Sequence, residues 1–133
     1  MEIQKLQRPP MTLELFKKQQ YLNLETFRKN GQSVKTPVWF AQDGETLRIW
    51  TQADSGKAKR IRRDGNVRIV PSTASGEPVS EWVKATATVI DETEEIKKTV
   101  RLFRKKYGIM FNVFGMFGWL RKAKYTTIEV KLS

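Results

Sequence analysis

Between residues 21 and 132 the chain is cut into strand-length pieces by turn-forming residues, and this spacing limits the fold more than any other feature. Residues 21–28 and 34–41 flank Lys29-Asn30-Gly31-Gln32 and form a hairpin pattern. Gln42-Asp43-Gly44-Glu45 is a second turn, made stronger by the Asp43-Gly44 pair, and it leads into a third strand over 46–51. Further strands are expected over 66–73, 80–90 and 125–132, with a small-residue loop over 72–78. Within 80–90, Trp82, Lys84, Thr86 and Thr88 alternate with Val83, Ala85, Ala87 and Val89, so one side faces a core. Six antiparallel strands in 133 residues suggest a closed or nearly closed barrel, because closure removes exposed sheet edges. The chain is read as a single domain over residues 1–133, mainly β with helices.

Three helices are expected around the strands. Residues 12–20 form a short amphipathic one, with Thr12 as N-cap and Leu13, Leu15 and Phe16 on its apolar side. Residues 55–64 form a basic one. Residues 91–107 carry the fullest set of helix signals: Asp91 to cap, Glu94 three residues later to complete a capping box, acids at the start, Arg104, Lys105 and Lys106 near the end, and Gly108 as the stop. Ile96, Val100, Phe103 and Tyr107 make its stripe, which helical packing alone explains. Residues 109–120 are almost wholly apolar and rich in Met and Phe, yet shorter than the roughly 20 residues a membrane span needs. They require a cover. A partner subunit or a pocket is preferred to a lipid surface, which would give a cleaner division into polar and apolar faces.

Composition narrows the chemistry. The chain has no cysteine and no histidine, which removes disulfides, thiolate chemistry, Cys/His zinc sites and every scheme built on imidazole. An enzyme of this composition relies on a cofactor, or on carboxylate, Lys or Tyr groups. A formal charge of +11 attracts anions, whether nucleic acid, anionic lipid or a small polyanion. No segment spans a bilayer and the N-terminus has no signal-peptide pattern, so a cytoplasmic location is expected.

The sharpest local feature is the passage from the strand over 46–51 into Ser55-Gly56-Lys57-Ala58-Lys59-Arg60. The first amides of a helix lack intrahelical partners and the peptide dipoles make that end partly positive. Ser55 is placed to cap, Gly56 lets a ligand approach the backbone, and Lys57 and Arg60, at i and i+3, reach one anion while Ala58 and Ile61 turn inward. A phosphorylated ligand fits this pattern; so does a solvated basic face at a strand-to-helix turn. Within 34–41, Pro37 lacks an amide donor and marks a sheet edge or opening, and Trp39 is large and flat enough to wall a planar ligand, or to serve as a core residue.

Taken together, residues 21–31, Thr36-Pro37-Val38-Trp39-Phe40, residues 50–63, Val67-Arg68-Ile69 and Lys106-Tyr107-Gly108 resemble the pyridoxamine 5'-phosphate oxidase-like flavin-binding split barrels, in particular the class that uses the deazaflavin coenzyme F-420. The resemblance covers about residues 12–132. It implies a homodimer of six-stranded antiparallel split β-barrels with the cofactor, coenzyme F-420 or FMN, between subunits. It further implies a phosphate held by Ser55, Gly56, Lys57 and Arg60, a ring beside Thr36, Pro37, Val38 and Trp39, and Thr51 near the ribityl-phosphate. The expected activity is hydride transfer between that cofactor and a small-molecule substrate, with no catalytic side chain assigned. Relatives of similar appearance bind haem or bilins, so a non-catalytic flavin- or haem-binding barrel is one alternative. A basic barrel that stacks single-stranded nucleic acid on Phe27, Trp39, Phe40 and Trp50 is the other. Against it, the 14 acids are interspersed with the bases, and nucleic acid is not an expected partner.

Overall fold

The computed structural model describes residues 13–111 and 124–133. Its strands are β1 (Tyr21–Phe27), β2 (Ser33–Trp39), β3 (Ala41–Asp43), β4 (Thr46–Gln52), β5 (Asn66–Ser72), β6 (Val83–Ile90) and β7 (Tyr125–Leu132). Two helices have described bounds, α1 (Gly56–Arg63) and α2 (Thr93–Tyr107). All strands join one sheet in the order β2-β1-β5-β6-β7-β4-β3, and every pairing is antiparallel. The sheet curls into a split barrel whose seam lies between its two end strands, β2 and β3, which Phe40 alone separates in sequence.

Seven strands replace the expected six because residues 34–41 do not make one strand. At Phe40 the chain leaves β1 and crosses to β4, so Ala41–Asp43 pairs with Thr46–Arg48 as a separate short strand. The cost of the break is an amide and a carbonyl without a ladder partner. Tyr107 and Lys106 supply them: Phe40 N donates to the Tyr107 hydroxyl at 3.0 Å, and the Phe40 carbonyl accepts from Tyr107 at 2.8 Å and from Lys106 Nζ at 2.7 Å. The Phe40 ring turns into the core, edge-on to Phe16 at 5.9 Å.

The strand register explains the core. Leu22 and Leu24 of β1, Ile69 of β5, Ile49 of β4 and Ile128 and Val130 of β7 all fall on the barrel's inner face and are fully buried. Ala85 and Ala87 of β6 join them while Lys84, Thr86 and Thr88 are exposed, as the alternation predicts. Phe16 plugs the barrel from the N-terminal helical turn, whereas Leu15, expected on the same apolar side, is exposed. Thr12, the expected cap, lies outside the described residues.

Helix α2 covers the outer face of β3, β4 and β7. There Phe103, Val100 and Tyr107 pack with Trp39, Trp50 and Phe111 as a second, smaller cluster. The capping box does not form. Glu92, not Asp91, is the N-cap and makes no side-chain cap bond, and the Asp91 carboxylate is held instead by Thr126 at 2.7 Å and by Arg62 at 3.0 Å. Gly108 ends the helix at φ 61°, with its amide on the Arg104 carbonyl. Beneath α2, Arg48 is almost fully buried and bonds Glu95 at 2.6 Å, Asp43 at 3.0 Å and Thr99 at 3.3 Å. Of the apolar segment 109–120, the described part is Ile109 and Met110, both exposed, and Phe111, buried against Trp50 and Phe103; the rest lies outside the described residues. No helix among the described residues is long and apolar enough to cross a membrane.

Candidate functional site

Strand β4 ends beside the helix it feeds. Ser55 has the extended conformation of an N-cap, its Oγ accepts from Ala58 N at 3.2 Å, and its carbonyl accepts from Lys59 N at 3.0 Å. Thr51 donates its hydroxyl to Ser55 Oγ at 3.3 Å, tying the strand end to the cap. Ala58 and Ile61 are buried against the sheet, and Arg62 holds the far side through Asp91 and the Ala53 carbonyl at 2.8 Å. The helix start is thus fixed from three directions.

What it leaves open is positive. The amides of Gly56 and Lys57 have no acceptor among the described residues, as the first turn of a helix dictates. Lys57 is half-buried with no carboxylate partner among the described residues, and burial, then the charge of Arg60, holds its pKa below the ordinary lysine value. Arg60 bends back over the helix start. Its Nε donates to Thr26 Oγ1 at 2.6 Å, and its Nη1 stands 2.7 Å from where a Cβ on Gly56 would be. Burial, followed by the fields of Arg28 and Arg63, lowers its pKa as well. Only glycine at 56 leaves the guanidinium in this position undisturbed. Two free amides, a dipole end and two cations therefore converge at one place, which suits a phosphate group.

The β2 residues are divided. Thr36 and Val38 pair with Leu24 and Leu22 and share the inner face, while Pro37 and Trp39 pair with Asn23 and Tyr21 on the outer face. Pro37 does sit on an edge strand, at the seam. Trp39 is half-buried, and one face of its indole is taken by Tyr107, stacked at 4.2 Å with the rings 5° apart. Thr36, Pro37, Val38 and Trp39 therefore do not present one continuous wall. Thr36 lies on the same face as Val34, the partner of Thr26, and so on the side of the barrel from which Arg60 is held.

Thr26, which anchors Arg60, gave no signal in the sequence beyond its place in a strand. Lys106 and Tyr107 are visible there at the helix end, in its stripe and in the Lys106-Tyr107-Gly108 motif, but their bonding to Phe40 depends on the strand break. An open groove of about 560 Å³ lies elsewhere, lined by Leu13, Gln42, Thr46 and Lys131 at the other end of β4, and holds none of the expected site residues. Among the described residues no group of acids could hold a metal ion.

Residues 10–133 match the family model for pyridoxamine 5'-phosphate oxidase. The chain belongs to this family. No curated protein sequence matches it. Among solved structures, the heme storage protein HutZ from Vibrio cholerae shares the fold with a TM-score of 0.69 at 13% identity, over 93% of this chain and 89% of that one. A putative pyridoxamine 5'-phosphate oxidase from Listeria innocua has a TM-score of 0.67 at 12% identity, over 95% and 94% of the two chains. An F420 reductase has 0.59 at 20% identity, over 90% and 91%. The same fold, then, carries proteins named for a reductase and for heme storage, and the cradle at α1 has to be read on its own chemistry.

Proposed function

We propose that this member of the family is an oxidoreductase that transfers a hydride between coenzyme F-420 or FMN and a small-molecule substrate. The observation that carries the reading is the open cradle at the start of α1: amides at Gly56 and Lys57 and a Lys57 ammonium without partners among the described residues, and Arg60 folded over Gly56. When bound, the cofactor's ring accepts or gives the hydride, so the absence of histidine and cysteine is no obstacle. The protein's residues hold and orient. Gly56 and Lys57 amides, the Lys57 ammonium and the Arg60 guanidinium neutralise the phosphate, with Ser55 and Thr51 fixing the helix start. The backbone edge of β2 from Thr36 to Trp39, which has no strand beyond it among the described residues, would flank the ring. The partner in this reading is a second copy of the chain, with the segment beginning at the exposed Ile109 and Met110 covered in the dimer.

The heme-binding alternative is disfavoured because the usual His or Cys axial ligands are missing. The test is fluorescence titration of the apoprotein with FMN and with coenzyme F-420, oxidised and reduced, and separately with single-stranded oligonucleotides, at two ionic strengths. Saturable binding of either cofactor is expected. Tight oligonucleotide binding without cofactor binding would replace this reading with the nucleic-acid one.

A further inference from the structure

Every tyrosine of the chain rests against a tryptophan. The three tyrosines are Tyr21, Tyr107 and Tyr125. Tyr107 lies flat on Trp39 at 4.2 Å, Tyr21 meets the same indole edge-on at 6.4 Å, and Tyr125 lies flat on Trp50 at 3.9 Å with the rings 7° apart. Two phenylalanines bridge these groups. Phe103 is 5.4 Å from Tyr107 and 5.4 Å from Phe111, and Phe111 stands edge-on to Trp50 at 4.9 Å. Ring therefore follows ring from the edge strand β2, beneath the end of α2, to β7.

Packing explains the burial of Phe103 and Phe111 but not the residue types at the two ends. Phenylalanine fills nearly the same space as tyrosine with no hydroxyl to satisfy, and the main core uses it at Phe16 and Phe40. What tyrosine and tryptophan add is a ring that gives up one electron. In a chain without cysteine they are the side chains most readily oxidised in this way. The Trp50 Nε1 is buried with no hydrogen-bond acceptor among the described residues, so nothing takes its proton when the ring is oxidised and the charge stays on the indole. Tyr125 is partly exposed, and its phenolic proton can leave to solvent. Loss of that proton stabilises the tyrosyl radical, so an oxidised Trp50 draws its missing electron from Tyr125. Tyr107 is not such an end point. Its hydroxyl is bonded to the carbonyls of Gln20 and Phe40, which are too weak as bases to take the proton, and its role is to stack on Trp39 and ease oxidation of that indole.

We infer that these rings form a one-electron relay from Trp39 to Tyr125. A one-electron oxidant beside β2 takes an electron from Trp39. An electron from Trp50 refills it, tunnelling across Phe111, Phe103 and Tyr107. Tyr125 then refills Trp50 and releases its phenolic proton to solvent, and a small reductant such as ascorbate returns one electron and one proton to the tyrosyl radical. The net change is one electron from the reductant to the oxidant, with every ring restored. Oxidising equivalents are thus carried from the edge of β2 to a surface where small reductants quench them. The relay stands on the ring contacts; only its natural oxidant, a flavin or deazaflavin ring alongside β2, rests on the cofactor reading.

The absence of cysteine allows an oxidant to be attached at one chosen place. Gln20 is exposed and adjoins Tyr21, and Tyr107 uses only its backbone carbonyl, so Gln20→Cys carries a tris(bipyridine)ruthenium photo-oxidant without removing a described contact. After a flash with a sacrificial electron acceptor in dilute protein, transient absorption should show a tryptophan radical and then a tyrosine radical. Peptide mass spectrometry without ascorbate should find the stable product on Tyr125. In the labelled protein, Trp50→Phe should lose most of the Tyr125 product and leave oxidation on Trp39 and Tyr21. Tyr125→Phe removes one hydroxyl and keeps the ring, so it serves if Trp50→Phe fails to fold, and it should move the product to Trp50. Trp82→Phe, on a tryptophan outside the relay, should change nothing. Tyr125 product that persists in Trp50→Phe or falls equally in Trp82→Phe, or product confined to Tyr21 and Trp39 with and without Tyr125→Phe, would overturn the relay and leave the rings as packing. The test uses no cofactor, so failure of FMN and coenzyme F-420 to bind would count against the cofactor reading and leave the relay standing.

Discussion

The hydroxyl of Tyr107 sits against both backbone groups of Phe40, accepting from its amide at 3.0 Å and within 2.8 Å of its carbonyl. Its proton has a second acceptor in the Gln20 carbonyl at 2.6 Å. One residue at the end of α2 thus joins both lips of the barrel seam and the segment that enters β1. Burial pushes the Tyr107 phenol pKa up, so the hydroxyl stays protonated and able to donate throughout the range in which the protein is folded. Tyr107→Phe keeps the ring stacked on Trp39 and removes only these bonds. It should cost about 1–3 kcal/mol, since the Phe40 amide is left buried and unpaired, and lower the melting midpoint by several degrees in thermal unfolding. An unchanged midpoint would mean that the seam is held by packing alone.

Beneath α2, Arg48 is the hub of a second junction, bonded to Asp43 of β3 and to Glu95 and Thr99 of α2. Arg48→Ala strands these carboxylates against the sheet and should cost about 3–5 kcal/mol, whereas Arg48→Met, which keeps the apolar stem, should cost less. The Arg48 hydrogen bond lowers the pKa of Glu95; at Asp43 burial acts upward but is outweighed by Lys98 and Arg48. A carboxylate whose folded pKa is depressed adds stability above its unfolded pKa, and that stability is lost as pH falls through the folded value. Urea midpoints should therefore decline as pH drops below about 4, and the decline should be shallower in Arg48→Met. Parallel pH profiles for the two proteins would refute the role given to Arg48.

Lys106 places its ammonium 3.5 Å from the centre of the Phe40 ring while bonding the Phe40 carbonyl, and burial at this spot lowers its pKa to about 8. Its unprotonated fraction at pH 8 should far exceed that of ordinary surface lysines, so brief treatment with an acylating reagent should label Lys106 first, read by peptide mass spectrometry. The linkage has a definite sign. The unfolded chain binds more protons than the folded one between about pH 8 and 10.5, so this group's contribution to stability rises with pH across that window. Uniform labelling of the lysines would show that the amine is solvated.

These junctions also mark where reading the sequence stops. Period-two alternation placed Ala85, Ala87, Lys84 and Thr86 on their proper faces, and turn residues placed the β1–β2 hairpin and the start of β4, because those signals are local. The split of residues 34–41 at Phe40 has no local cause; it follows from Tyr107 and Lys106, more than sixty residues later, taking over the Phe40 backbone. Asp91 and Glu94 have the spacing of a capping box, yet Glu92 is the N-cap and the Asp91 carboxylate is held by Arg62 and Thr126. At the candidate site the same division holds. Ser55, Gly56 and Lys57 could be read from cap and turn chemistry, while the Arg60–Thr26 bond that aims the guanidinium joins residues 34 apart and became visible only in the fold.

The cradle itself gives the last prediction. Gly56 is the position where any side chain meets Arg60, because a Cβ there would lie 2.7 Å from Nη1. The neighbour is the far end of a flexible side chain, and Gly56 has ordinary helical geometry, so Gly56→Ala should fold with unchanged or slightly raised stability. Its effect should fall on ligand binding, as the methyl group displaces the guanidinium and covers the approach to the first amides. Lys57→Ala removes a charge-assisted contact worth about 1.5–3 kcal/mol, a loss of roughly tenfold to a hundredfold in affinity for a phosphorylated cofactor. Because the ligand is anionic, wild-type affinity should also fall as salt is raised through about 0.1 M, where the screening length is near 10 Å, and that salt dependence should be weaker in Lys57→Ala. The two variants, titrated with FMN and with coenzyme F-420 alongside thermal unfolding, separate binding from folding. If both variants retain wild-type affinity with normal melting curves, the start of α1 is a solvated basic turn and the phosphate must bind elsewhere.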